Sequence, residues 1–126
     1  MSYENIKREG RTYDNPKLFC AFSDEQFAKG LAKLGVKEEC VVAGGCGCYG
    51  TQEGFEEQTA FFEGLEERIR KECTPDEIYK YEWWNHECGY TYEDDEALKI
   101  VRYYFPKYKP TKALKEKLQA KCNEMN

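Results

Sequence analysis

The sequence predicts a helix-dominant α+β fold, with about five helices and two or three short strands in one globular domain over residues 1–126. Three observations predict it. Helix-start chemistry stands ahead of apolar residues at helical spacing: Ser23 before Phe27, Thr74-Pro75 before Ile78, and Thr111 before Leu114. Phe55, Phe62 and Ile69 recur every seven residues, which places them along one helix face. The runs with strand character are short: Leu18-Phe19-Cys20-Ala21-Phe22, Cys40-Val41-Val42-Ala43 and Tyr90-Thr91-Tyr92.

Taken in order, the polar start allows a short helix over residues 3–9, and Asn15-Pro16 breaks the chain. The apolar run 18–22 is a buried strand or a helical turn, and periodicity alone does not separate them. Ser23 and Gln26 form a capping box for a helix running to about Leu34, with Phe27, Leu31 and Leu34 on one face and Gly35 as its stop. Residues 40–43 read as a strand entering the glycine segment Gly44-Gly45-Cys46-Gly47-Cys48-Tyr49-Gly50. Thr51 opens a long helix to about Glu72. Phe55, Phe62, Leu65 and Ile69 are expected to form its core stripe, widened by Phe61, while Glu53, Glu56, Glu57, Glu63, Glu66 and Glu67 face water. Thr74-Pro75-Asp76-Glu77 starts the next helix, which carries Ile78, Tyr81 and Asn85-His86-Glu87 and stops at Gly89. An edge strand is expected at 90–92. Asp94 or Asp95 then caps a helix with Leu98, Val101 and Phe105 inward, stopped by Pro106. A lysine-rich C-terminal helix follows from about residue 107, started by Thr111 and striped by Leu114 and Leu118.

Charge and composition exclude several classes. The net charge is −5. Residues 107–126 hold six lysines against two glutamates, a net +4, which leaves −9 on residues 1–106. An acidic body disfavours duplex nucleic acid, because phosphates need a basic footprint. No run approaches the roughly 20 apolar residues of a membrane span. The N-terminus has no apolar h-region, so the cytoplasm is the expected compartment. The seven cysteines read as thiols in that compartment, not as a disulfide framework. Ten tyrosines suit a contact surface, since the ring packs while the hydroxyl keeps a polar partner.

Two segments carry the residues with chemistry. Glycine density lets backbone amides approach a ligand, and Gly45, Gly47 and Gly50 satisfy the G-x-G-x-x-G spacing. No second strand with a ribose-binding acid follows the next helix, so a dinucleotide fold is not expected. A structural glycine turn is the favoured reading, ahead of a looser anion cradle. In the second segment, Glu82 and His86 stand at helical i,i+4 spacing. Gly45, Gly47, Tyr49, Gly50, Tyr81, Glu82, Asn85 and His86 are therefore the candidate ligand-binding residues. Cys46, Cys48, His86 and Cys88 could supply Cys₃His ligands to zinc, but one-residue spacing is poor for a structural site. No metal and no cofactor are expected. No hydrolase elbow, phosphate loop or metalloprotease motif is present, and no residue is assigned a catalytic role.

The segment Leu18-Phe19-Cys20-Ala21-Phe22-Ser23-Asp24-Glu25-Gln26-Phe27 resembles a Phe-x-Ala-Phe-x-x-x-Gln-Phe signature. Tyr81-Glu82-Trp83-Trp84-Asn85-His86-Glu87 resembles Tyr-Glu-x-x-Asn-His-Glu. With the glycine loop between them, residues 15–105 resemble a family of small uncharacterised proteins carried by phages, prophages and other mobile elements of gut-type Firmicutes. That family's loop is glycine-rich without a regular Cys-x-Cys, a departure that weakens a metal reading. The resemblance implies a mobile-element setting. The expectation there is a non-enzymatic binding protein whose acidic, tyrosine-rich surface engages a host protein with a basic surface, inhibition of a host defence protein being one form of it. Binding of a small nucleotide or anion is the alternative, and a Cys/His zinc-site protein comes third.

Overall fold

In a computed structural model that describes residues 2–126, the elements run in the order α1 Ser2–Arg11, β1 Leu18–Cys20, α2 Asp24–Leu34, a 3₁₀ turn Glu38–Cys40, β2 Val42–Gly45, β3 Cys48–Gly50, α3 Gln52–Glu72, α4 Pro75–Asn85, α5 Cys88–Thr91, α6 Asp95–Tyr104 and α7 Lys112–Glu124. The fold is α+β and dominated by helix. The chain divides into two units: a sheet unit of residues 10–64, and a helical unit of residues 2–9 with 65–126. No helix among the described residues is long and apolar enough to cross a membrane.

In the sheet unit, the three strands are antiparallel in the order β1-β3-β2, with Leu18 opposite Gly50 and Cys20 opposite Cys48. Gly45, Cys46 and Gly47 have φ of 91°, 53° and 78°, so the glycine segment is the tight turn of a β2–β3 hairpin. Positive φ carries no steric cost at glycine. Gly50 answers a different need. It lies in the central strand, where a Cβ would meet the Lys17 carbonyl and the Leu18 side chain. An antiparallel hairpin is also incompatible with the parallel strands of a dinucleotide fold. Asn15 ties the turn before β1 to the start of α3: its amide donates to the Gly54 carbonyl at 3.1 Å, and its Oδ1 accepts the Lys17 N–H at 2.9 Å. Helix α2 starts as expected, with the Gln26 N–H donating to Ser23 Oγ, and ends on Gly35 at φ 73°. The returning Gln26 side chain takes the Phe22 N–H at 2.7 Å. Phe27 packs against Tyr49 at 5.0 Å and Phe19 at 5.9 Å, yet no residue of α2 is fully buried.

The helical unit has the deeper core. It is built from Tyr3 and Ile6 of α1, Leu65 and Ile69 of α3, Ile78, Tyr79 and Trp83 of α4, Ala97 and Val101 of α6, and Leu118 and Cys122 of α7. Thr74 and Thr111 both act as N-caps, accepting the Glu77 and Leu114 N–H groups. Asp94 occupies the N-cap position of α6 without capping it. Its carboxylate is committed elsewhere, accepting the Tyr79 hydroxyl at 2.8 Å.

Several expectations are corrected. Residues 40–43 are not one strand, because the chain turns through a 3₁₀ helix to Cys40 and β2 begins at Val42. Residues 90–92 form no edge strand. Glu87 at φ 54° breaks α4 after Asn85, Gly89 sits inside α5, and Tyr92 at φ 61° ends that turn. The inward residues of α6 are Ala97 and Val101, with Leu98 half-buried. In α7 the buried pair is Leu118 and Cys122. The α3 stripe also shifts. Phe62 is 38% exposed, while Phe61 stacks on Tyr13 at 4.3 Å. Phe62 meets the Tyr13 and Phe61 rings edge-on at 5.4 and 5.2 Å, at the rim of that ring cluster. Ile69→Ala should cost about 2–5 kcal/mol, as a cavity in the core. Phe62→Ala, at a partly exposed site, should cost less, about 1 kcal/mol. Denaturant melts of the two variants check the difference.

Candidate functional site

The α4 end is organised around one buried carboxylate. Glu82 is 1% exposed. The Tyr3 hydroxyl donates to its Oε1 at 3.1 Å, Lys7 Nζ lies 3.8 Å from the same oxygen, and His86 Nε2 lies 3.4 Å from Oε2. Tyr3 and Lys7 reach it together because they are one turn apart on α1, and His86 does so from one turn further along α4. Burial, and then the Glu82 carboxylate, push the Tyr3 phenol well above its ordinary value, so it remains a donor. The Tyr81 ring meets Tyr3 edge-on at 5.3 Å. Glu82 thus faces inward. A ligand at this end would meet Lys80, Tyr81, Trp84 and Asn85, which line a hollow of about 480 Å³.

The glycine segment contributes to a different feature, within the sheet unit. A cleft of about 560 Å³ is lined by Phe22, Asp24, Phe27, Glu38, Gly47 and Tyr49, together with Ala21 and Ser23. The Phe22 ring lies over Gly47, where a Cβ would collide with it, and is itself 77% exposed. Of the sequence-predicted residues, Gly47 and Tyr49 line this cleft, Gly45 is part of the turn beside it, and Gly50 is fixed in the sheet.

A third cleft, of about 510 Å³, lies among α4, α5 and α7. Tyr79, Trp83 and Cys88 line it, with Asp94, Lys112 and Lys115. Lys115 Nζ is 3.9 Å from Asp94 Oδ2. Burial, with Asp94 adding to it, pushes the Cys88 thiol up, which works against thiolate chemistry there. Cys46 and Cys48 belong to the sheet unit, His86 and Cys88 to the helical unit. Among the described residues, no group of three or more His, Cys, Asp or Glu side chains is placed to hold a metal ion.

Residues 4–124 match the model of DUF7659, a family of unknown function. The chain belongs to that family. No curated protein and no solved structure matches it. In this DUF7659 chain, sequence reasoning reached the Glu82–His86 pair but missed Tyr3 and Lys7, whose i,i+4 spacing was the available signal. It also missed Phe22, Asp24 and Glu38. Phe22 closes an apolar run that reads as core, and nothing local marks its ring as exposed.

Tyr3→Phe removes a donor to a buried carboxylate and should cost about 1.5–3 kcal/mol in a denaturant melt. Burial pushes the Cys73 thiol from 9.0 up to about 11, and burial raises the Tyr3 and Tyr79 phenols above 10.0. Each group keeps its proton in the folded state after the unfolded chain has released it. The stability they contribute is therefore complete below about pH 9 and declines as pH rises, first through the thiols, Cys73 among them, and above pH 10 through the tyrosines as well. Cys73→Ala should reduce the early part of that decline, to which Cys48 and Cys88 also contribute, read from melts at stepped pH.

Proposed function

We propose that this DUF7659 chain is a non-enzymatic binding protein of mobile-element origin, which blocks a host protein by gripping a basic segment of it. The observation that carries the reading is the cleft of the sheet unit. An aromatic group of Phe22, Phe27 and Tyr49 is left open, with the carboxylates of Asp24 and Glu38 lining the same space. Apolar surface of this kind is usually covered when a partner is bound. A lysine or arginine side chain suits the mixture, since its cation is attracted both to aromatic faces and to carboxylates. The −9 net charge of residues 1–106 would steer such a segment inward from a distance. The mobile-element setting and the blocked host protein rest on the motif resemblance of residues 15–105.

A second reading has its own support. The hollow lined by Lys80, Tyr81, Trp84 and Asn85 offers two aromatic faces, a cation and an amide, which suits a small planar anion such as a nucleotide. A nucleotide at a hundredfold excess over its Kd would stabilise the fold by about 2.7 kcal/mol. A thermal shift of that size, abolished in Trp84→Ala, would favour this reading over the first.

The binding reading is tested by titrating an arginine- and lysine-rich peptide while following the resonances of Phe22, Phe27 and Tyr49. Those three should shift, and binding should weaken as salt rises to about 0.3 M. Phe22→Ala and Glu38→Lys should each reduce affinity at least roughly tenfold with little change in stability. Binding that leaves these resonances still, or that ignores both substitutions, would refute it.

A further inference from the structure

Three of the seven cysteines, Cys73, Cys88 and Cys122, are buried as small apolar side chains. Cys20 and Cys48 are different. They are direct register partners on β1 and β3, and their Sγ atoms are 3.9 Å apart. The ladder shows what kind of pair they form. The Ala21 N–H donates to the Gly47 carbonyl at 2.9 Å on one side, and the Thr51 N–H donates to the Lys17 carbonyl at 3.2 Å further along. Hydrogen-bonded and non-hydrogen-bonded pairs alternate in an antiparallel ladder. Counting from those bonds, Cys20 and Cys48 occupy a non-hydrogen-bonded position. There the α-carbons are about 4.5 Å apart and the side chains approach most closely, at the short end of the range a disulfide spans.

We propose that Cys20 and Cys48 are a reversible dithiol–disulfide modification site, closed by exchange with a small-molecule disulfide. The exposed Cys20 reacts first. Its thiolate attacks one sulfur of the small disulfide, forms a mixed disulfide and expels one small thiolate. The Cys48 thiolate then attacks the Cys20 sulfur and expels the second. Two protein thiols and one small disulfide become one protein disulfide and two small thiols. The two protons leave the protein sulfurs for the released thiolates, and the two electrons lost by the protein are gained by the small disulfide. Cys48 suits the second role. Its contact with Cys20 raises its pKa, which keeps it protonated until its partner has been converted. The link would fasten β1 to β3 directly beside the turn that carries Cys46. This inference does not depend on what the cleft binds.

The experiment equilibrates the full chain in mixtures of reduced and oxidised glutathione, traps free thiols by alkylation, and maps the peptides without reduction. Expected is a peptide linking Cys20 to Cys48, with two of the seven thiols lost and all seven restored by dithiothreitol. The link should appear at oxidised glutathione levels roughly tenfold below those that modify the exposed, solitary Cys40, because its closing step is intramolecular. Cys46→Ser should leave the link intact, and Cys48→Ser should leave Cys20 carrying one glutathione. A link from Cys46 to either partner, a disulfide between chains, glutathione on both sulfurs without closure, or seven free thiols throughout would each overturn the assignment.

Discussion

The helical unit depends on the neutralisation of Glu82. A carboxylate at 1% exposure is costly to remove from water unless it is paired and hydrogen-bonded. Its partners come from both sides: His86 from its own helix, Tyr3 and Lys7 from α1. This explains why residues 2–9 cluster with residues 65–126 and not with the segment that follows them in sequence. The apolar side of the same arrangement is Ile6 beside Tyr3 in the core, with Ile78, Tyr79 and Trp83 flanking the carboxylate along α4. The polar cluster fixes which face of α1 turns inward, and the apolar contacts supply most of the free energy.

The sheet unit is built on a different balance. Its side chains that reach full burial are Asn15 and Ala21, and its large apolar residues, among them Phe19, Phe27, Leu31 and Tyr49, are only partly buried. Short strands, a glycine turn and a helix resting on aromatic edges hold the unit through backbone ladders and ring contacts. Two-layer units normally bury one face of a sheet fully. A unit that leaves so much aromatic surface part-open while Asp24 and Glu38 line its cleft is suited to a partner that brings both hydrocarbon and positive charge.

Local signals in the chain proved legible, and long-range ones did not. The caps at Ser23, Thr74 and Thr111, the stop at Gly35 and the extent of α3 are chemistry within four residues, and all appear where the sequence places them. The errors have separate causes. Tyr90-Thr91-Tyr92 has strand-like residues, but Glu87 and Tyr92 take left-handed backbone and close a helical turn between them. Asp94 has the right residue type to cap α6, yet Tyr79, fifteen positions earlier, claims its carboxylate. Phe62 has the right spacing for the core, but it sits at the rim of a ring cluster in which Tyr13, forty-nine positions earlier, stacks on Phe61 and meets Phe62 only edge-on. For the candidate sites, the Glu82–His86 spacing was visible because it is intrahelical. The open face of Phe22 was not, because exposure of an apolar ring is decided by what fails to cover it.

The Tyr3–Glu82 hydrogen bond spans 79 residues of chain, and that has a consequence for how the protein is made. During synthesis the first helix leaves the ribosome long before the carboxylate that it neutralises. Residues 10–64, whose strand pairings are all internal to them, can assemble while the chain is still growing. The opening segment must meanwhile wait, amphipathic and unsatisfied, until α4 emerges. Closure of the helical unit is therefore a late, non-local event with a correspondingly slow search. In a nascent chain stalled before residue 82, Tyr3 and Ile6 would remain uncovered, a ready target for chaperones and proteases.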